Sequence, residues 1–134
     1  MMRDIKELKI LLAEDNRINQ RIAVLTFKQL GVSIDIASNG EEAYSKYCKQ
    51  QYDLILMDMQ MPEMDGLEAT RQIRTFEKDT NLPHRAIIVA LTGSEPAEKK
   101  DVCLEAGMND YMEKPIRESI LRSLIAKFFN SSNS

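Results

Sequence analysis

The sequence has no tryptophan, one histidine and two cysteines, and these scarcities exclude several classes of protein. Cys48 and Cys103 have neither the spacing of zinc ligands nor that of a redox motif, so we expect reduced thiols. No apolar run reaches the ~18 residues that a membrane span needs. The first residues, "MMRDIKELK", lack the apolar stretch of a signal peptide. These absences predict a cytoplasmic protein without disulfides or a membrane segment.

An excess of charge of one sign is also missing. The formal net charge is −3, and lysine and arginine are scattered along the chain. Because direct nucleic-acid binding needs a basic stripe, we do not expect it here. The 134 residues suit one domain with one hydrophobic core. We assign residues 1–8 to an N-terminal lead-in, 9–129 to the folded domain and 130–134 ("NSSNS") to a disordered tail.

Apolar runs recur along the chain with polar segments between them. Continuous runs of this kind, bounded by polar loops, are typical of strands in a parallel sheet that is covered on both faces. The predicted strands are "KILLA" (9–13), "SIDIA" (33–37), "LILM" (54–57), "AIIVAL" (86–91) and, more weakly, "DYME" (110–113).

Helical patterns occupy the gaps between these runs. Capping or turn residues mark four of their starts, at Asn16, Asn39, Asp65 and Pro96. The apolar positions of the first helix are Ile18, Ile22, Leu25 and Leu30, and those of the last are Ile116, Ile120, Leu121, Leu124, Ile125, Phe128 and Phe129. Strand and helix alternate five times, which predicts a single doubly wound α/β domain around a five-stranded parallel sheet.

Polar residues that could carry chemistry follow four of the five predicted strands. Glu14 and Asp15 follow the first strand, Asp58 the third, Thr92 the fourth and Lys114 the fifth. Each alone would be read as a loop, capping or surface residue. Because ligands of such folds bind outside the carboxyl ends of the strands, the five together predict a site at that edge.

The three carboxylates need a positive partner. Two of them about 4 Å apart repel each other by about 4 kcal/mol at an effective dielectric constant of about 20. Carboxylates and backbone carbonyls are hard oxygen ligands that suit Mg²⁺, which commonly joins a phosphoryl group to one or two carboxylates. Lys114 and Thr92 offer a positive charge and a hydrogen-bond donor to phosphoryl oxygens. An aspartate can itself be the nucleophile and form an acyl phosphate.

Four motifs then give a resemblance to a known family along nearly the whole chain: "LLAEDNRINQ", "LILMDMQMPEMDGLEATRQIR", "IIVALTG" and "DYMEKP". In this order and spacing the chain resembles the receiver domain of two-component response regulators. The pairs "EDN…NQ" and "MDMQMPEMDG" most resemble receivers of hybrid sensor histidine kinases, which act in phosphorelays. The resemblance implies a flavodoxin-like (βα)5 fold, with the receiver domain covering residues 9–129.

The resemblance also implies roles for single residues at the acidic edge. Asp58 would accept the phosphoryl group, giving an acyl phosphate. Asp15 and Glu14 would bind Mg²⁺ or Mn²⁺, with Asp58 and the backbone carbonyl of Gln60 as further metal ligands. The donor would be the phosphohistidine of a histidine kinase or of a histidine phosphotransfer protein.

Further expectations concern the response to phosphorylation. Thr92 would hydrogen-bond the phosphoryl group and Lys114 would pair with it, while Tyr111 would be an aromatic switch residue. The switch would alter the face formed by the fourth helix, fifth strand and fifth helix, where a weak homodimer could also form. The resemblance implies a cis bond between Lys114 and Pro115. The domain would catalyse only its own phosphorylation and dephosphorylation, so it would not be an enzyme in the usual sense.

Several alternatives remain open from the sequence alone. A phosphatase of the haloacid dehalogenase type would need a general acid two residues after the nucleophile, where this chain has Gln60. A degenerate receiver would keep the fold and act only as a binding module. A flavin-binding domain would need a hydroxyl- and glycine-rich loop where "EDN" stands. A phosphohistidine at His84 has little support from a loop position. The chain could be a stand-alone regulator or part of a hybrid kinase.

Overall fold

The computed structural model describes residues 5–93 and 99–129, and within these ranges five β-strands alternate with five α-helices. The strands are β1 (Ile10–Ala13), β2 (Asp35–Ala37), β3 (Leu54–Asp58), β4 (Ile87–Thr92) and β5 (Asp110–Glu113). The helices are α1 (Arg17–Gln29), α2 (Gly40–Lys49), α3 (Gly66–Thr80), α4 (Lys99–Ala106) and α5 (Glu118–Phe129). A 3₁₀ turn, Ile5–Glu7, precedes β1. The predicted helix start at Pro96 and the tail 130–134 lie outside the described residues, and the predicted domain limits stay a prediction.

All five strands are parallel and lie in the order β2-β1-β3-β4-β5. The chain therefore reverses its direction across the sheet between β1 and β3, the position where ligands bind in open α/β sheets. Ala13 of β1 is in register with Met57 of β3, so the next residues, Glu14 and Asp58, meet at the carboxyl edge. The predicted doubly wound α/β fold is confirmed.

Alternate residues of the strands enter two separate cores. Leu54 and Leu56 of β3 face the core that α1 and α5 cover, whereas Ile55 and Met57 face the core under α2, α3 and α4. Successive side chains of a strand point to opposite faces of the sheet. A strand in this position needs apolar residues throughout, which explains why "LILM" has no polar alternation.

Three helices start where the sequence predicts, and a capping side chain is present at each of these starts. Asn16 accepts a hydrogen bond from the Asn19 N–H at 3.0 Å, and Asn39 accepts one from the Glu42 N–H at 2.7 Å. Asp65 caps α3 in the same way. These side chains satisfy amide groups that have no partner inside the helix.

Helix α1 buries a different face from the one that most of its predicted apolar positions mark. Ile18 and Leu25 are 71% and 54% exposed, while Ala23 and Phe27 are fully buried against the sheet. Of the predicted apolar positions in this segment, Leu30 is buried. The helix carries two apolar stripes on opposite sides, and periodicity alone does not tell which of them packs on the core.

Helix α5 shows a smaller difference of the same kind. Leu121, Leu124 and Ile125 are buried, but Ile120 is 49% exposed. Ile116 is buried and lies ahead of the first residue of the helix. Phe128 and Phe129 are partly buried against the same core, so Ile120 is the predicted apolar position that departs from the stripe.

A buried polar network fastens the amino edge of the sheet. The Glu77 carboxylate is 2% exposed, and it accepts hydrogen bonds from the Tyr47 hydroxyl (2.6 Å), the Ala86 N–H (2.8 Å) and the Arg74 guanidinium (2.8 Å). Arg74 also donates to the Gly107 carbonyl at 2.8 Å. Side chains of α2 and α3 are thereby joined to the start of β4 and to the turn before β5.

Candidate functional site

Three carboxylates converge at the carboxyl edge of the sheet. Glu14 and Asp15 directly follow β1, and Asp58 is the last residue of β3. One carboxylate oxygen of each lies within 4.8 Å of those of the other two. Glu14 and Asp58 are buried, whereas Asp15 is exposed. The cluster predicted from the strand ends is present.

Lys114 brings a positive charge to the cluster from the far side of β4. Its Nζ lies 3.2 Å from Asp58 Oδ2 and 3.6 Å from Glu14 Oε1. The backbone N–H of Lys114 donates to the Thr92 carbonyl at 2.7 Å, which holds the end of β5 beside β4. The bond from Lys114 to Pro115 is cis, as the resemblance implies.

Glu14 has an environment that favours its protonated form. Burial is the main cause that raises its pKa from 4.5 to about 7, and the charge of Asp58 raises it further. A hydrogen bond from the Asn16 N–H at 3.0 Å and the charge of Lys114 act in the opposite direction. Burial alone would lower the pKa of Lys114, but attraction to Asp58 and Glu14 leaves that pKa above its usual value.

The acidic cluster has the composition of a divalent cation site. Three carboxylates and one ammonium leave a formal charge of −2 when all are ionised, which one divalent ion would balance. Glu14 Oε1 is buried and accepts no hydrogen bond from the described part of the chain. A buried carboxylate oxygen that accepts no hydrogen bond is costly, and hard oxygen ligands suit Mg²⁺. The Gln60 N–H donates to Asp58 Oδ1 at 3.3 Å, which holds Gln60 against the cluster.

Thr92 and Tyr111 lie near the cluster without joining it. The Thr92 hydroxyl is buried and donates to the Met112 carbonyl of β5 at 3.3 Å. The Tyr111 side chain is 41% exposed, and Lys100 Nζ lies 5.3 Å from the centre of its ring. The structure thus gathers Glu14, Asp15, Asp58 and Lys114, while Thr92 is bonded to the neighbouring strand and Tyr111 faces outward.

His84 lies away from this site. It is exposed and precedes β4, so it belongs to the amino edge of the sheet, opposite the carboxylates. It therefore takes no part in the acidic cluster.

An exposed apolar patch beside the acidic cluster was not predicted. It consists of Ile18, Ile22 and Leu25 on the outer side of α1, and we call it the α1 patch. Ile22 lines a narrow cleft together with Glu14 and Lys114, so the patch is continuous with the site. The signal was present in the sequence as a second apolar stripe with spacings of four and three residues.

Comparison with known proteins gives the family. The family model described as "Response regulator receiver domain" matches residues 10–126. The chain belongs to this family. It is therefore a receiver domain of two-component signalling, as its motifs indicated, and the acidic edge of its sheet is where that family resemblance places the phosphoryl-accepting aspartate.

Among curated proteins, this receiver domain is 46% identical over 130 residues to the hybrid signal transduction histidine kinase B of Dictyostelium discoideum. That match covers 91% of the chain and 7% of the kinase. A match to the probable histidine kinase 1 of Oryza sativa covers 15% of that protein, with 37% identity over 147 residues and 90% of this chain. The chain thus spans a small part of the length of the curated relatives it matches.

Two solved structures have the same fold as this receiver domain. The first is a Saccharomyces cerevisiae complex of the histidine phosphotransfer protein Ypd1 with the receiver domain of Ssk1. Its TM-score is 0.86, with 34% identity, and the match covers 95% of this chain and 92% of that chain. The second is the receiver domain of a Pseudomonas aeruginosa sensor histidine kinase with magnesium in its active-site cleft. Its TM-score is 0.80, with 36% identity, and the match covers 92% of this chain and 98% of that chain.

No helix in the described part of this chain is long and apolar enough to cross a membrane.

Proposed function

We propose that this receiver domain accepts a phosphoryl group on Asp58 from a protein phosphohistidine, in a reaction that depends on Mg²⁺ or Mn²⁺. The observation that carries the proposal is the position of Asp58. It is buried at a strand end, with carboxylate oxygens of Glu14 and Asp15 within 4.8 Å and Lys114 Nζ at 3.2 Å. A rigid strand aims the nucleophile, and positioning with electrostatic stabilisation supplies most of the catalysis in phosphoryl transfer.

The residues of the acidic cluster would have different roles in binding the metal ion. Asp15, Asp58 and the Gln60 carbonyl would hold the metal ion, with Glu14 as a direct ligand or a ligand through water. When bound, the ion neutralises oxygens of both the donor phosphoryl group and the acceptor. Glu14 must lose its proton to take part, because a carboxylate coordinates a metal in its ionised form.

The transfer itself exchanges one bond for another. An Asp58 carboxylate oxygen attacks the phosphorus atom in line, an O–P bond forms, and the N–P bond of the phosphohistidine breaks. The bonding electron pair leaves with the imidazole. If the other ring nitrogen carries a proton, the product is a neutral imidazole; otherwise the leaving nitrogen takes a proton from water. Lys114 Nζ, already 3.2 Å from the carboxylate, then pairs with a phosphoryl oxygen of the acyl phosphate.

Phosphorylation would change the position of Thr92. Its hydroxyl, which donates to the Met112 carbonyl at 3.3 Å, would turn to a phosphoryl oxygen that carries more negative charge. The exposed ring of Tyr111 would move toward the space that Thr92 leaves. The new charge would thus bias two arrangements of α4, β5 and α5, in the manner of a population shift.

The α1 patch is the surface that we assign to the phosphoryl donor. It adjoins the acidic cluster through Ile22, and exposed apolar patches at the rim of a site commonly mark protein interfaces. Helix α1 also carries Arg17, Arg21 and Lys28, all exposed, and no acidic residue. A donor that presents an apolar surface with acidic neighbours would complement it.

The relatives support the wider context. The yeast structure shows a receiver domain with a histidine phosphotransfer protein, and the curated relatives are hybrid histidine kinases. We therefore propose a cytoplasmic domain within a phosphorelay that belongs to a hybrid kinase and acts as an acceptor and switch rather than as a turnover enzyme. An acceptor role distinguishes it from a degenerate receiver that only binds.

Two aspartates at opposite ends of β3 provide the test. The protein is incubated with Mg²⁺ and acetyl phosphate, and its intact mass is recorded for the wild type, Asp58→Asn and Asp53→Asn. Asp53 accepts a hydrogen bond from the Lys9 N–H at 2.8 Å at the amino edge and is the matched control. We expect the wild type and Asp53→Asn to gain one phosphoryl group, and Asp58→Asn or added chelator to prevent the gain. Equal labelling of all three proteins would refute the assignment.

A further inference from the structure

The segment between β3 and α3, residues 59–65, carries Gln60 and is here called the acceptor loop. Its two ends are held close together, because the Gly66 N–H donates to the Met59 carbonyl at 3.3 Å. A Cβ atom at position 66 would collide with the Asp58 carbonyl oxygen. The loop therefore returns tightly over the end of β3, and only glycine permits this approach.

A second glycine, on a different helix, holds the far part of the acceptor loop. Gly40 is buried as the first residue of α2, and its N–H donates to the Met64 carbonyl at 2.9 Å. Amide groups in the first turn of a helix have no partner within the helix. The acceptor loop supplies one here. A Cβ atom at position 40 would collide with the Met64 carbonyl oxygen and lie 2.9 Å from the Met64 carbonyl carbon.

The peptide groups that Gly40 contacts belong to a strained turn. Glu63 has φ of 70°, a left-handed conformation that is uncommon for residues with a side chain. The Met64 N–H donates to the Pro62 carbonyl, two residues earlier, at 2.8 Å. Such conformations persist only where the surroundings hold them. Here the Met64 carbonyl is held by Gly40 and its N–H by Pro62.

We infer that Gly40 is a positioning residue of the metal and phosphoryl site: through Met64 it holds the acceptor loop so that Gln60, whose N–H donates to Asp58 Oδ1 at 3.3 Å, stays beside the carboxylates. The inference rests on the proposed function, since it concerns the same metal ion. Helix α2 supplies none of the three carboxylates of the cluster, and the inference gives it a part in setting the metal affinity. Residues that orient a metal ligand without touching the metal can change its affinity by roughly 10- to 100-fold.

The test compares metal binding by Gly40→Ala with binding by Gly31→Ala. Mn²⁺ affinity is measured by electron paramagnetic resonance of the free ion, and the midpoint of thermal unfolding is measured for each protein. Gly31 follows the carboxyl end of α1, has φ of 78°, and a Cβ there would meet the flexible side chain of Lys6. Alanine at position 31 therefore introduces backbone strain away from the site, which makes it a matched control for loss of stability.

We expect Gly40→Ala to bind Mn²⁺ roughly tenfold more weakly than the wild type and to accept phosphoryl groups correspondingly slowly. Gly31→Ala should keep wild-type affinity even if its unfolding midpoint falls as far. Wild-type affinity in a folded Gly40→Ala protein would overturn the inference. Failure of the wild type to bind Mn²⁺ would instead overturn the metal-dependent function beneath it.

Hydrogen exchange of the wild type provides a second test that needs no variant to fold. If Gly40 holds the acceptor loop, Mg²⁺ should slow exchange of the Gly40 amide together with that of the Gln60 and Met64 amides. The Gly31 amide should be unaffected. A Gly40 amide whose exchange does not respond to Mg²⁺, while the loop amides do respond, would overturn the inference.

Discussion

The ammonium of Lys114 lies 3.2 Å from the carboxylate of Asp58, although the two residues are 56 positions apart in the chain. β4 lies between their strands in the sheet, so the ion pair spans the end of an intervening strand. It compensates part of the negative charge that the ends of β1 and β3 bring together. Lys114 thus reduces the repulsion among the carboxylates, and a divalent cation would balance the charge of −2 that remains.

Replacing Lys114 with methionine should destabilise the metal-free domain. The change leaves the buried carboxylates of Asp58 and Glu14 without the ammonium group, and leaving a buried acceptor unpaired costs about 1–3 kcal/mol, and more when that acceptor is charged. Urea unfolding in the presence of a chelator measures the loss. Lys127→Met is the control, because Lys127 pairs with Asp110 at 3.0 Å but is 62% exposed. Its loss should stay below about 1 kcal/mol, and equal losses would contradict the prediction.

The raised pKa of Glu14 predicts how stability depends on pH without metal. The folded state favours the protonated group up to about pH 7, whereas the unfolded chain releases the proton near 4.5. The stability that Glu14 contributes is therefore fully present below pH 4.5 and is lost as the pH rises through about 7. The total loss is roughly 3 kcal/mol. Unfolding in urea and chelator between these pH values should show the decline.

Glu14→Gln tests the same prediction by removing the titration. The variant should lose most of the decline in stability with pH and should be more stable than the wild type above pH 7 in chelator. It should also bind Mg²⁺ more weakly, because an amide is a poorer ligand for a hard cation than a carboxylate. A variant with an unchanged pH profile would show that another group titrates.

The α1 patch predicts a variant that separates protein donors from small ones. Leu25→Asp should slow phosphoryl transfer from a histidine phosphotransfer protein such as Ypd1 by roughly tenfold, the effect of losing about 1.4 kcal/mol at an interface. Labelling by acetyl phosphate should not change. Leu104→Asp on α4 is the control, since Leu104 and Leu25 are 45% and 54% exposed. No slowing by Leu25→Asp, or equal slowing by both variants, would contradict the assignment of the donor to the α1 patch.

Replacing either of two tyrosines on α2 with phenylalanine should affect the free energy of unfolding differently but leave phosphoryl acceptance unchanged. Tyr47→Phe removes the hydroxyl that donates to Glu77 at 2.6 Å, so the free energy of unfolding should fall by about 1–3 kcal/mol. Tyr44→Phe, at a half-buried position on the same helix, should change it by less than about 0.5 kcal/mol. Both variants should still accept a phosphoryl group, because neither touches the acidic cluster. Urea unfolding and intact mass check the two parts.

The sequence was sufficient to place β3 because all residues of this strand are buried. "LILM" lies between two cores, so every position must be apolar, and the first polar residue marks the carboxyl edge. Asp58 could therefore be placed at its edge from local pattern alone. The helix starts at Asn16 and Asn39 were predictable for a similar reason, since a capping side chain acts within three residues.

The contacts between distant segments were not predictable in the same way. Helix α1 has two apolar stripes, and only packing on the sheet decides that Phe27 is buried and Ile18 exposed. The hydrogen bond from Gly40 to Met64 depends on how α2 meets a loop that follows another strand. Nor could the bond from Thr92 to Met112 be inferred, because the register of β4 and β5 sets it.

The network of Glu77, Arg74 and Tyr47 at the amino edge has a consequence for how such a domain can diversify. It secures α2, α3, β4 and the turn before β5 without using any residue of the opposite edge. Substitutions that alter donor choice or the lifetime of the acyl phosphate can accumulate at the carboxyl edge without loosening this anchorage. Residues around the acidic cluster can thus be replaced without compensating changes at the amino edge.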